Sequence, residues 1–450
     1  MYLVVFISPL YTNKLFFGDV MKINKIIFSS IFLAGTIFNS SADTAINHTN
    51  MFSDESSTVS TYVEINPKAF GHNLQVIRKT IGPNVKICAV MKADAYGNGI
   101  ANLIDEAILQ HVDYIAAVDN NEFKIIVPAV NKSGENIHLI RLAPVTKNEL
   151  IEAIKNNWNI EEIAGSVEEA KMISETAQEM SKKLQRKIVI GIHLNIETGM
   201  GRMGVREVSD MKTILALPNL KLIGVMTHFA KDYEDAPTDH DYTRMQLNQY
   251  ESAINQLHLE SNVIKHVANS AGMLKFPWAR LDMVRVGAIM YGSDFDGMGD
   301  ESALSRKYIP VMTSFKTTVG IIERNVPPHS PINYDGEQFT RDDKPSTTAT
   351  LRVGYNYGFP RYAYKEKVYV LIDGQKFPVI GKSSMNMVVV DITDQDAKHP
   401  VKLGDEAVIV GKQGNQEITW SEFAKKNNTD PSNTEIIIGN QNVRKVINNN

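Results

Sequence analysis

The chain has 450 residues, of which 43% are hydrophobic and 22% charged, with a formal net charge of -4. That is length for two domains and an ordinary globular composition, without the basic excess that a nucleic-acid footprint needs. Its single cysteine, Cys88, excludes an intrachain disulfide and a cysteine-rich metal cluster, and no metal site is expected.

The first element in chain order is a targeting segment. From Met21, "MKINKIIFSSIFLAGTIFNSSADTA" places Lys22 and Lys25 before an apolar run from Ile26 to Phe38, then small polar residues. That is the layout of a secretory signal peptide. Cleavage is expected after Ala42, giving an exported, periplasmic protein, with Met21 as the expected initiator. An uncleaved N-terminal anchor is the alternative, although the run is short for a spanning helix. Residues 43–61 read as a polar linker.

From Tyr62 onward, short β-rich runs alternate with amphipathic ones. Eight runs read as strands: 85–92 (VKICAVMK), 114–118, 138–142, 160–165, 187–196, 221–229, 264–270 and 283–292. The segments between them carry helical periodicity, as in "SVEEAKMISETAQEMSKKLQRK". Near-continuous apolar strands alternating with helices predict a parallel sheet, and eight such units predict a closed (β/α)8 barrel over 62–302. An open doubly wound sheet is the alternative, but "MKADAYGNG" lacks the G-x-G-x-x-G spacing of a dinucleotide site. After Gly292 the texture changes to β-branched runs split by turns, with Asp373-Gly374 as a hairpin signal. A mostly β domain is therefore expected over 303–450, with one short helix in "TWSEFAKKNN" capped by Thr419.

Active sites of such barrels lie at the C-terminal ends of the strands. The predicted strand ends collect Lys92, Arg141, Asn195, His228, His266, Asn269, Ser270 and Arg285. A rim of lysine, histidine and arginine suits a bound anion. Each residue alone also fits a structural role; their convergence on one rim favours a site.

The motifs "AVMKADAYGNG", "ETGMGRMG", "THF", "HVANS", "VRVGAIMYG", "VGYNYGFPR" and "GKSSMNMVVVDIT", in this order, resemble those of the alanine racemase family. The resemblance implies a TIM-type barrel followed by a β domain, pyridoxal 5'-phosphate as cofactor, and a homodimer with shared active sites. Lys92 would hold the cofactor as a Schiff base. Tyr96, Ser270, Gly287 and Ala288 would hold its phosphate, with Asn269 and His228 nearby and Arg285 against the ring nitrogen. Racemisation needs an acid/base group on each face of the substrate Cα. The resemblance makes these Lys92 and Tyr355, the latter reaching the partner's site. Arg202 and the Met385 amide would meet the substrate carboxylate.

Some positions depart from the usual pattern. Asn195 stands where many relatives carry a carbamylated lysine, and Asn386 replaces an aspartate. The C-terminus, "GNQNVRKVI", lacks a pocket-closing tyrosine. These changes remove charge and bulk near the substrate. With the signal peptide, they resemble the periplasmic broad-specificity amino-acid racemases, which implies turnover of residues such as Lys, Arg, Met, Ala and Ser. A narrow alanine racemase, or a cofactor-binding protein without catalysis, is the alternative.

Overall fold

The computed structural model describes residues 58–233, 236–293, 307–336 and 340–447. The expected signal peptide lies outside the described residues, as do most of the linker and the domain boundary near 302. The first described strand is β1 (Tyr62–Ile65). Then come the barrel strands β2 (Lys86–Val90), β3 (Tyr114–Ala117), β4 (His138–Arg141), β5 (Ile160–Ala164), β6 (Ile190–Asn195), β7 (Leu220–Met226), β8 (Ile264–His266) and β9 (Met283–Val286). Each lies within, or one residue beyond, one of the eight predicted runs.

Strands β2 to β9 form one parallel sheet in the order β8-β7-β6-β5-β4-β3-β2-β9. Its two ends meet. The Asp282 amide donates to the Lys265 carbonyl at 3.1 Å, and the Arg285 amide to the Ala268 carbonyl at 2.9 Å. The predicted barrel is therefore present. Its strands are shorter than the predicted runs, because segments such as 227–229 and 267–269 leave the ladder to build the rim.

Side chains alternate across each strand, so the barrel has two cores. Cys88, Val90, Tyr114, Ala116, Ile140 and Met283 pack together inside. Their neighbours Ile87, Ala89, Ile115, Ala117, Leu139 and Val284 belong to the larger core shared with the helices. This alternation corrects one expectation. Arg141 is not on the rim: it is fully buried on the helix side, donating to Glu162 at 2.9 Å and to Asn120 at 2.8 Å.

The second sheet contains β1 and β10 (Met312–Val326), β11 (Ser346–Leu351), β12 (Tyr369–Ile372), β13 (Gln375–Ile380), β14 (Val388–Asp391), β15 (Glu406–Gln413), β16 (Gln416–Ile418) and β17 (Val443–Val446). Thus β1, read from sequence as the start of the barrel segment, is zipped between β10 and β17. The Asp373-Gly374 hairpin forms between β12 and β13, both turn residues having positive φ. Thr419 caps the helix Trp420–Lys426 by accepting from the Glu422 amide at 3.0 Å. A second helix in this domain, Pro431–Gln441, was not expected.

Candidate active site

A cavity opens at the C-terminal ends of the barrel strands. It is lined by Lys92, Tyr96, Arg202, His228, Asn269, Ser270, Arg285, Gly287 and Ala288. All of these were expected from sequence.

Strand β2 stops at Val90, and the chain then winds in a left-handed turn. Ala93, Asp94, Ala95 and Tyr96 have φ of 55°, 51°, 56° and 54°. Left-handed winding costs roughly 1–2 kcal/mol for each non-glycine residue, so the turn needs external support. The Asp94 side chain accepts from the Ile100 amide at 2.7 Å, and its own amide donates to Glu122 at 3.1 Å. Arg444, on β17, pairs with Asp94 at 2.5 Å. The turn carries Lys92 and Tyr96 to one cavity.

Burial lowers the Lys92 amine from its ordinary value, and the Arg202 charge lowers it further, against a smaller opposing effect of Glu122. The Tyr96 phenol is pushed up to about 12 by burial and stays protonated, able to donate. Its ring stacks on Tyr291 with centroids 4.8 Å apart. A Cβ on Gly287 would stand 2.4 Å from the Tyr96 hydroxyl, so this backbone approach requires glycine. The Gly287 amide donates to Ser270 Oγ at 3.0 Å. Tyr96, Ser270 and the Gly287–Ala288 backbone thus meet at one end of the cavity.

Arg285 stands on the inner face of β9. Its Nη1 donates to the His266 carbonyl at 2.8 Å and to His266 Nδ1 at 3.1 Å. Its Nη2 donates to the Thr227 carbonyl at 2.9 Å and to His228 Nδ1 at 3.2 Å. Four of the five N–H groups are so used, while Nε–H makes no protein hydrogen bond among the described residues and belongs to a cavity-lining side chain. Burial lowers the guanidinium to about 10, and it remains charged at neutral pH. His228 is held well below its ordinary value by burial and by the charges of Arg285, Arg202 and Lys92. It is neutral, and because Arg285 donates to Nδ1, its proton sits on Nε2.

Asn269 lines the cavity but spends its side chain locally. It accepts from the Gly272 amide at 3.0 Å and donates to Asp232 at 3.2 Å. Asn195 does not line the cavity. Its side chain donates to the Met203 carbonyl at 3.1 Å and steadies the loop that carries Arg202. His266, placed on the rim by sequence, is fully buried beneath it.

Tyr355, Met385 and Asn386 are likewise not on the cavity wall of the same chain. They form a separate exposed cluster on the β domain, where Tyr355 is 38% and Met385 54% exposed. The Tyr355 amide donates to the Ser384 carbonyl at 3.1 Å and the Asn356 amide to that of Met385 at 2.9 Å. Two loops are thereby locked together.

Sequence reasoning missed Leu142, Ile163, Met203, Met226 and Tyr233 as cavity residues. Leu142 and Ile163 had a readable signal, since they share inner-face parity with Ile140 and Glu161. Tyr233 sits five residues past His228 in a loop, where periodicity gives no direction.

Two family models match the chain: the alanine racemase N-terminal domain over residues 65–294 and the C-terminal domain over 312–446. A lysine racemase of Proteus mirabilis is 34% identical over 369 residues, spanning 80% of this chain and 83% of its own. A broad specificity amino-acid racemase of Vibrio vulnificus is 33% identical over 399 residues, spanning 86% and 89%. Among solved structures, an alanine racemase of Clostridium difficile 630 superposes with a TM-score of 0.75 at 30% identity, covering 87% of this chain and 97% of its own. Matched along both domains, with this cavity at the strand ends, the chain belongs to the alanine racemase family.

Proposed function

We propose that the chain is a pyridoxal 5'-phosphate-dependent racemase that interconverts L- and D-amino acids of several side-chain types, including Lys, Arg, Met, Ala and Ser. The observation that carries this reading is a desolvated lysine amine facing one cavity with an open Arg285 donor and a Tyr96–Ser270–Gly287 cradle. That donor set fits the cofactor: an amine for its aldehyde, hydroxyls and backbone for its phosphate, and an N–H for its ring nitrogen. When bound, the cofactor supplies an electron-accepting ring that acidifies the substrate Cα–H.

The chain's own residues would do the rest. Lys92, its proton affinity lowered by burial, takes or returns the α-proton on one face. Arg285 keeps its proton and would offer an N–H to the ring nitrogen without protonating it. Arg202, exposed at the mouth, binds the substrate carboxylate. The second face needs another acid/base group, and Tyr355 does not line the cavity of its own chain. Tyr355, on the exposed cluster with Met385, would supply it to a partner subunit, so the active unit is a homodimer.

Breadth of substrate is supported by Leu142, Ile163, Met203 and Met226, an apolar wall against which long aliphatic stems can lie. It is supported also by Asn195, neutral and turned to Met203. The signal-peptide pattern supports export to the periplasm; N-terminal sequencing of the exported protein, expected to begin after Ala42, tests that. The test of function is a panel of L-amino acids with pyridoxal phosphate, resolved by chiral chromatography. D-Lys, D-Arg and D-Met should accumulate beside D-Ala and D-Ser, and Lys92→Ala should make none. Turnover of alanine alone would favour the narrow reading, and racemisation by Lys92→Ala would overturn the assignment.

A further inference from the structure

One line of polar side chains runs through the barrel interior beneath the cavity, with the Arg285 guanidinium at one end and two neutral imidazoles between it and a carboxylate. Arg285 on β9 is followed by His266 on β8, His193 on β6, Glu161 on β5 and His138 on β4. Arg285 Nη1 is 3.1 Å from His266 Nδ1; His266 Nε2 is 2.9 Å from His193 Nδ1; His193 Nε2 is 2.7 Å from Glu161 Oε2. Glu161 Oε1 is 2.9 Å from His138 Nδ1. His138 reaches solvent, with its side chain 40% exposed, while His193 and His266 are fully buried. Tyr114 stacks on His138 at 4.7 Å and meets His193 edge-on at 6.3 Å.

Donor and acceptor chemistry fixes every proton on this line. A guanidinium only donates. His266 Nδ1 must therefore accept, which puts the His266 proton on Nε2. That N–H donates to His193 Nδ1, which puts the His193 proton on Nε2 in turn, where it is donated to Glu161. All the hydrogen bonds point from Arg285 towards the carboxylate.

We propose that Glu161 is a positioning residue for Arg285: its carboxylate accepts the last N–H of the chain through His266 and His193, and so holds the guanidinium plane that aims Nε–H into the cavity. What Nε–H meets there rests on the racemase reading; the chain of bonds does not. Burial favours the neutral acid at Glu161, but its bonds to His138 and His193 outweigh this and hold it below the usual carboxylate range, so it is the ionised end. His266 is held well below its ordinary value by burial and by His193 and Arg285, so it stays a neutral relay. Without an acceptor at residue 161, the His193 Nε2–H that Arg285 calls for is buried and unpaired, and reversing the chain is the way to relieve it. His266 could then turn an N–H towards Arg285, placing two donors face to face where both side chains are buried.

The test is imidazole nitrogen NMR on the full-length protein, with and without pyridoxal phosphate, for wild type, Glu161→Gln and Glu161→Leu. Wild-type His193 and His266 should both be neutral with the proton on Nε2. Glu161→Gln keeps an acceptor oxygen, and half-exposed His138 can change its own tautomer to receive the amide, so both tautomers and the pyridoxal phosphate dissociation constant should stay within about threefold of wild type. Glu161→Leu should give mixed His266 tautomers and raise that constant about tenfold or more. A wild-type His266 protonated on Nδ1, or a Glu161→Leu protein with wild-type tautomers and affinity, would overturn the proposal. If Glu161→Leu does not fold, the wild-type tautomers and the glutamine rescue decide it. Predicted tautomers in a protein that binds no pyridoxal phosphate would support the chain and overturn the racemase reading.

Discussion

Gly287 shows how a single residue sets the site. An added methyl would lie 2.4 Å from the Tyr96 hydroxyl and 3.0 Å from Cζ, and Tyr96 cannot retreat because it is stacked on Tyr291. Gly287→Ala is expected to leave the circular dichroism spectrum unchanged and weaken pyridoxal phosphate binding about tenfold or more, because small misplacements at such a site are amplified. Unchanged affinity in a titration would show that Tyr96 does not hold the phosphate. At this scale the sequence was most informative where chemistry is uncommon: a lysine at an apolar strand end, a tyrosine four residues on, an arginine inside a strand. It was least informative for His193 and Glu161. Each reads as an ordinary polar residue in a strand, and only the closure of the barrel brings them together in line with Arg285.

The elements explain what sequence patterns could and could not reveal. Period and length sufficed for the eight barrel strands, because buried parallel strands carry apolar runs on both faces. Pairing partners were not legible. Nothing local in "YVEI" says that β1 joins a sheet whose other strands come some 250 residues later, as Tyr62 opposite Lys316 shows. The helix Pro431–Gln441 was hidden in the same way: three successive isoleucines blur its period, although Asp430 and Pro431 are a proper start signal. This helix and β17 brace the Lys92 turn. The Gly97 carbonyl lies 2.2 Å from where a Gly439 side chain would begin, and Arg444 ties Asp94 to the Gly439 carbonyl and Asn440. Arg444→Ala should cost about 1–2 kcal/mol in urea unfolding, given partly exposed charged hydrogen bonds. It should also weaken cofactor binding several-fold as the left-handed turn loosens. A variant with wild-type stability and affinity would mean that the turn holds itself.

For the whole molecule, the desolvated barrel histidines set a direction for stability against pH. His228 and His266 are depressed well below 6.5 in the folded state, so the unfolded chain binds protons that the folded chain refuses. Stability from these groups is therefore present above the unfolded value and lost as pH falls through it, by about 1.4 kcal/mol per pH unit for each group. Glu161, lowered from 4.5, acts in the same sense at lower pH. Urea midpoints should fall steeply from pH 7 to pH 5.5; a flat profile would show that these imidazoles are charged in the fold.

The separation of Lys92 from the Tyr355–Met385 cluster, which no local pattern could have revealed, gives the central claim its direct test. Lys92→Ala and Tyr355→Phe proteins should each lack racemase activity, with the tyrosine variant still binding pyridoxal phosphate. After mixing and subunit exchange, half of the dimers are hybrids with one intact site each, so activity should return to about a quarter of the wild-type value. Full activity in Tyr355→Phe alone, or no recovery once hybrid dimers are verified, would contradict a site built from Lys92 of one subunit and Tyr355 of the other.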